Sequence, residues 1–352
     1  MALQRHPDIG VWEPSLYISQ LGRRSGRDYT GVTSLLRGML FNPNHEDHST
    51  LRRLWRQGLD LLAPAFEPAI VAAIIESKFR EVREAGRFEA MESLCRAIPT
   101  AVMAGALGLA PSCVSAIRRA SASVFAVYER GVSLRQLDTI DEDARIAQSE
   151  VMGELARARR EPSMGLSRLL TPMGDHFDDR ALADYVFFFV LAGVETLTGL
   201  LGSMTLLLLS HPDQWQKLLA HPALTAPCVE EAIRFAGPMR RLAPRIAHRD
   251  VTLSGVIIPA GAIIAVELEQ AHHDPAAFVQ PETFDITRTG PPNMGFGVGA
   301  HACLGVSVAR LEARQYVQAL RGAGPIALLD ENPVWEDHTS FRRLVTLELK
   351  FS

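Results

Sequence analysis

The chain has 352 residues, 47% of them apolar, enough to bury a sizeable core in one large domain or two ordinary ones. Its 36 Lys and Arg against 40 Asp and Glu give a net charge of −4 without any block of like charge, which disfavours nucleic acid or a polybasic membrane attachment as partners. Four widely spaced cysteines (Cys95, Cys113, Cys228, Cys303) make neither a C-x-x-C pair nor a disulfide framework, and the first residues show no basic cluster before an apolar run, so a reducing cytoplasm is the expected location.

Taken in chain order, Leu51 to Leu62 places apolar residues at 51, 54, 55, 59 and 62, which predicts an amphipathic helix with Arg52, Arg53 and Arg56 on its outer face. Ala63 to Leu170 keeps a helical pattern broken near Gly86, Pro99, Gly108 to Pro111, Gly131 and Pro162, with no β-rich block. Tyr185 to Leu209 is long and apolar enough to read as a membrane span, but Glu195 in its middle favours the central buried helix of a large helical domain. Short helices opened by Pro212 and Pro227 follow. Val251 to Glu269 then turns β-branched around Pro259-Ala-Gly261 and predicts a hairpin. A Pro- and Gly-rich loop from Gly290 to Gly299 leads into a helix from about Leu304 to Leu320, and Val345 to Phe351 alternates like a strand. No repeat or linker interrupts the chain, so the expected fold is mostly α with a minor β-sheet, in a single domain over 1–352.

The chemistry concentrates in Phe296-Gly-Val-Gly-Ala-His301-Ala-Cys303-Leu-Gly305. A cysteine just before a helix sits where outward-pointing N–H groups favour a thiolate, and such a sulfur suits an iron or zinc ion. Gly297, Gly299 and Gly305 allow tight turns and close approach to a flat cofactor, with Phe296 packing beside the sulfur. Weighed alone, Cys303 reads first as a buried structural cysteine after a flexible loop. His45 and His48 lack the cysteines or carboxylates that would complete a zinc site.

The whole string F-G-x-G-x-H-x-C-x-G strongly resembles the haem-ligand signature of the cytochrome P-450 family, the haem-thiolate monooxygenases, and the likeness runs from about Met39 to Phe351. The resemblance implies that Cys303 is the axial thiolate of haem b iron, with Phe296 and Gly297 in the cofactor loop and His301 partnering a propionate. A thiolate ligand pushes electron density onto iron and favours O–O cleavage. Ala192-Gly193-Val-Glu195-Thr196 resembles the family's oxygen-binding segment. There Gly193 lets the helix widen, while Glu195 and Thr196 act as catalytic residues that hold water and deliver protons. Glu231 and Arg234, three apart, match the E-x-x-R pair of the structural network behind the haem. Thr283 stands where the family usually places the network's second arginine, so that member is absent or supplied from elsewhere. His48 and Arg52 match the helix that crosses one propionate, and Arg245 matches the arginine of the strand before the hairpin.

The resemblance further implies a substrate wall from Leu191, Ala192, Val194, Arg240, Arg241 and Leu242, where one arginine is expected to meet an acidic substrate group. Arg53, Arg56 and Arg310 are expected to form a basic patch for a ferredoxin-like donor that relays electrons from NAD(P)H. Only 47 residues precede His48, so the first helix and much of the N-terminal sheet of the family fold are expected to be missing or reshaped. The activity implied is insertion of one oxygen atom into a small organic substrate, by hydroxylation or epoxidation, in specialised metabolism. A peroxide-using or rearranging family member, and a non-catalytic auxiliary protein of the same fold, are the alternatives.

Overall fold

The computed structural model describes residues 6–41, 45–129, 131–174, 176–330 and 332–351, with 45–47 described by their backbone. In chain order these form β1 (Ile9–Val11), α1 (Pro14–Ser25), α2 (Thr30–Gly38), α3 (His45–Leu62), α4 (Pro68–Ala85), β2 (Arg87–Glu89) and, after π-helical turns at Met91–Arg96, α5 (Ala97–Leu107). Next come α6 (Pro111–Val124), α7 (Leu134–Arg160), α8 (Gly165–Leu170), α9 (Asp179–Ser210), α10 (Pro212–Ala220) and α11 (Thr225–Ala236). The remainder is β3 (Arg241–Ala247), β4 (Val251–Leu253), β5 (Val256–Ile258), β6 (Ile263–Glu267), α12 (Leu268–His272), α13 (Val306–Gly322), β7 (Ile326–Leu328) and β8 (Glu348–Phe351). The fold is mostly helical with small sheets, as the sequence predicts.

The chain divides into two compact units, one of residues 6–9, 67–102 and 194–351, the other of residues 10–66 and 103–193. In the second unit α6 packs on α7, α2 on α7, and α3 on α8. Glycines permit these crossings. A Cβ at Gly58 would meet the Leu169 carbonyl at 2.4 Å, and one at Gly165 would meet the Ala106 carbonyl at 1.7 Å, so larger residues would push the helices apart. Trp55 of α3, itself buried, stacks on the half-buried Phe189 with 5.1 Å between ring centroids, and Tyr185 meets it edge-on, an aromatic cluster that fixes α3 and with it His48 and Arg52.

In the first unit α4 and α11 both pack on α13, the helix that follows Cys303. β2, β8 and β7 form an antiparallel sheet, and β3 pairs antiparallel with β6 across a bulge between Leu242 and Arg245. β1 heads the order β1-β3-β6, so the front of the chain contributes a strand, followed by α1 and α2.

Two sequence expectations change here. The hairpin in 251–269 turns at Ser254-Gly255, both at positive φ, and joins β4 to β5; Pro259-Ala-Gly261 only redirects the chain so that β6 pairs with β3. Two left-handed residues in succession match the twist of a two-residue hairpin better than a Pro-containing turn does. The stretch read as purely helical contains β2, whose pairing with β8 comes from 260 residues downstream and leaves no local periodicity.

Of the long apolar segment, α9 takes 32 residues, and 72% of its most apolar 18-residue window is buried within the protein. Residues up to 193 belong to one unit and those from 194 to the other. The helix runs unbroken through Gly193, where a Cβ would lie 3.2 Å from the Met103 sulfur. The glycine therefore accommodates a neighbouring methionine, and the widening expected at this position is not formed.

Candidate functional site

Cys303 lies between a short 3-10 turn at Gly299–His301 and the start of α13, whose N-cap is Gly305. The loop reverses tightly because Gly297 and Gly299 adopt φ of 68° and 78°, values that side chains oppose. Its closure is a hydrogen bond from the Cys303 amide to the Phe296 carbonyl, 2.8 Å long. A Cβ at Gly305 would stand 3.9 Å from the Cys303 Sγ. Of the four cysteines Cys303 alone is exposed; burial pushes the thiols of Cys95, Cys113 and Cys228 up to about 12 and keeps them protonated. The structure thus distinguishes the one cysteine able to present sulfur to a ligand.

The loop is held from three sides. A Cβ at Gly295 would meet Ile233 Cγ2 at 2.3 Å, so this glycine, which the motif does not include, lets the segment lie against α11. Asn293 donates to Glu230 Oε2 at 2.8 Å and accepts from the Gly295 amide at 3.0 Å. The Met294 amide donates to His272 Nε2 at 2.8 Å, which requires that nitrogen to be unprotonated. Burial, then repulsion from Arg234, lowers His272 to about 4 from an ordinary 6.5. Between these values the unfolded chain binds more protons than the folded one, so stability rises with pH across the window. Acidification from pH 6.5 towards 4 is expected to cost about 2 kcal/mol through this group, seen as a falling thermal midpoint that His272→Gln flattens. An equally steep profile in that variant would assign the titration elsewhere.

Behind the loop stands the network expected from Glu231 and Arg234. Both are buried, and Arg234 donates through Nε and Nη2 to the two Glu231 carboxylate oxygens, each at 2.8 Å. Arg234 Nη1 reaches the carbonyls of His272 and Pro281 at 2.9 Å. The missing second arginine is Arg288, five residues beyond Thr283: its Nε donates to both Glu231 oxygens at 3.0 and 3.1 Å, and its Nη2 to the Thr283 carbonyl at 2.6 Å. Thr283 contributes that carbonyl, so its side chain need not be basic.

On α9 the Glu195 carboxylate is buried, and both of its oxygens are engaged: Arg96 Nη1 donates at 2.9 Å, and Arg343 Nη1 donates to the other oxygen. Sequence reasoning did not single out either arginine, since both lie far from Glu195 in the chain. Arg96 ends the π-helical turns of Met91–Arg96, a local widening of the kind that marks functional sites. Thr196 is half-buried beside Glu195, and Leu197 is buried.

Arg245, on β3, is 6% exposed, and its Nη1 has no hydrogen-bond partner among the described residues; burial lowers its pKa. A buried guanidinium with an unmet donor calls for an anion. The donor set suits haem: the exposed Cys303 would offer a sulfur to iron, and the buried Arg245 would meet an anionic group such as a propionate. His301 is half-buried in the same loop.

His48 and Arg52 lie one turn apart on α3 in the other unit, with His48 buried; the His45 side chain is outside the described residues. Leu191 and Ala192 also belong to that unit, and Val194 to the first. Arg240 pairs with Glu269 and Arg241 with Glu267, at 2.8 and 2.7 Å. Arg240 lines a cavity of about 320 Å³ with Trp335, Glu336, Phe341, Arg342 and Arg343. Leu242 is half-buried on β3. Arg310, expected in a basic patch, is instead held by Glu230 at 2.6 and 2.9 Å.

A model of the cytochrome P450 family matches residues 134–320. The chain is 30% identical over 345 residues to the cytochrome P450 monooxygenase PikC of Streptomyces venezuelae, covering 94% of this chain and 80% of that one. The chain belongs to the cytochrome P450 family. It is therefore an oxidoreductase of a haem-dependent monooxygenase family. The biotin biosynthesis cytochrome P450 of Bacillus subtilis is 27% identical, with 93% of this chain and 83% of that one aligned. In structure, P450BioI in complex with hexadec-9Z-enoic acid ligated acyl carrier protein superposes with a TM-score of 0.86 at 28% identity, over 99% of this chain and 89% of that one.

Proposed function

We propose that this P450 inserts one oxygen atom from dioxygen into a small organic substrate, by hydroxylation or epoxidation, in cytoplasmic specialised metabolism. The observation that carries this reading is the single exposed cysteine at the mouth of a complete glycine loop, with Arg245 buried and lacking a partner for one donor nitrogen. The polyketide biosynthesis cytochrome P450 PksS of Bacillus subtilis, 28% identical over 87% of this chain, supports the metabolic setting. When bound, thiolate-ligated haem supplies the activation of dioxygen.

In this reading Cys303 Sγ would bind the iron, Phe296 and Gly297 would shape the loop that faces the group, and Arg245, His301, His48 and Arg52 would hold its propionates. Thr196 Oγ1 hydrogen-bonds water at the reacting face and passes protons inward. Glu195 is the proton source behind it. Arg96 and Arg343 each hold one oxygen of its carboxylate, so the two arginines fix its position next to Thr196. Leu191, Ala192, Val194 and Leu242 give the substrate an apolar wall, and one of Arg240 and Arg241 meets an acidic group on it. Electrons come from NAD(P)H through a separate ferredoxin-like protein that meets Arg53 and Arg56, exposed on α3.

The test is Thr196→Ala. This variant is expected to retain haem while product formed per NADPH consumed falls about tenfold and hydrogen peroxide rises, the magnitude of losing one general acid–base group being at least that large. Unchanged coupling would remove Thr196 from the relay. Turnover driven by hydrogen peroxide alone, with none from dioxygen and donor proteins, would favour a peroxide-using enzyme.

A further inference from the structure

Helix α11 carries two adjacent carboxylates with different partners. Glu231 turns inward to Arg234 and Arg288. Glu230 takes both forks of Arg310, on α13, with Nε to Oε1 at 2.6 Å and Nη2 to Oε2 at 2.9 Å. Arg310 in turn lies over the Phe296 ring, its guanidinium carbon 4.9 Å from the centroid. Glu230 also receives the Asn293 side chain, on the carboxylate at 2.8 Å and on the backbone carbonyl at 3.2 Å, and Asn293 fixes the Gly295 amide. One carboxylate therefore holds the cysteine loop at two points, through Asn293 at its entry and through Arg310 on the aromatic ring whose own carbonyl closes the turn at Cys303.

We propose that the Glu230–Arg310 ion pair, packed against the cysteine loop, sets through its balanced charge the reduction potential of the haem bound at Cys303; the proposal rests on the reading of Cys303 as the iron ligand. The two charges belong together. The pair is about one-third exposed, bidentate and held by a third side chain, so it is a fixed dipole and not a fluctuating surface contact. While paired, Glu230 and Arg310 present almost no net charge to the loop. Removing one member exposes the other. A lone Arg310 cation over Phe296 favours the added electron, and a lone Glu230 anion opposes it. Fixed charge and hydrogen bonding around the sulfur are among the levers a protein has on such a potential.

Charge and position make different predictions. Glu230→Gln is expected to raise the midpoint potential of the haem-loaded protein, Arg310→Met to lower it, and the double variant to return close to the parent value. Arg310→Lys keeps the charge and is expected to stay near the parent. Each variant is read by redox titration, and its ligation by the spectrum of the reduced carbon monoxide complex. Shifts of the same sign in both single variants, or no shift while the thiolate spectrum is intact, would overturn the proposal, because loosening the loop alone acts in one direction whichever partner is lost. If the parent protein itself lacked the thiolate spectrum, the reading of Cys303 would fall instead, before any variant is compared.

Discussion

Arg234→Ala is expected to destabilise the chain by about 3–5 kcal/mol, the range for removing one partner of a buried ion pair. That is a large share of a typical stability of roughly 5–15 kcal/mol. The loss is not that of one contact. Arg234 donates to both Glu231 oxygens and to the carbonyls of His272, Pro281 and Thr283, so its removal leaves a buried carboxylate less compensated and takes a donor from three carbonyls, of which Thr283 keeps Arg288. Arg288→Ala is expected to cost less, about 2 kcal/mol, since Arg288 is partly exposed and Arg234 still satisfies Glu231. Denaturant unfolding of the haem-free protein measures both without the contribution of the cofactor. A loss under about 0.5 kcal/mol for Arg288→Ala would mean that Glu231 is served by Arg234 alone. Haem retention should follow the same order, because the segment these arginines gather, from Val279 to Arg288, runs directly into the cysteine loop.

The helical class, α9 and the cysteine loop were legible in the sequence because each is local. Apolar spacing fixes a helix over a dozen residues, and the loop motif lies within ten. What escaped was set by residues distant in the chain. Glu154 and Arg157 share the spacing of Glu231 and Arg234 and do pair, yet Glu154 is buried and also accepts from the Ala110 amide at the start of α6, while Arg157 caps the Gly108 carbonyl. Glu84 with Arg87 and Glu142 with Arg145 have the same spacing, but Arg87 binds Glu348, and Arg145 binds Asp141 and Asp28. Spacing alone does not choose a partner. Arg288 could have been found: an arginine five residues past the expected position, at the end of a short loop, reaches the same carboxylate. Arg96 and Arg343 carry no such signal, since they flank Glu195 only once β2 and β8 have paired and brought their segments together. With Arg288 in place, the ground that Thr283 gave for a non-catalytic auxiliary protein is gone.

Cys303→Ala is expected to abolish the thiolate signature of the reduced carbon monoxide complex and to lower oxygenation on the order of 10⁴-fold or more, the scale seen when one member of a catalytic unit is removed. Its stability should barely move. Cys303 is exposed and its side chain fills no core, so the haem-free variant should unfold within about 0.5 kcal/mol of the parent. Cys228→Ala supplies the opposite pattern. Its sulfur is fully buried on α11, so the substitution is expected to cost about 1 kcal/mol through the lost packing, while the spectrum and turnover persist. The two variants together separate ligation from folding, since a structural cysteine would show in stability and a ligand in the spectrum. A Cys303→Ala protein with an unchanged thiolate spectrum would require another cysteine to hold the iron. None of the other three is placed to do so, each being buried with a thiol pushed to about 12. That result would therefore count against haem-thiolate chemistry at this loop and against the proposed function as a whole.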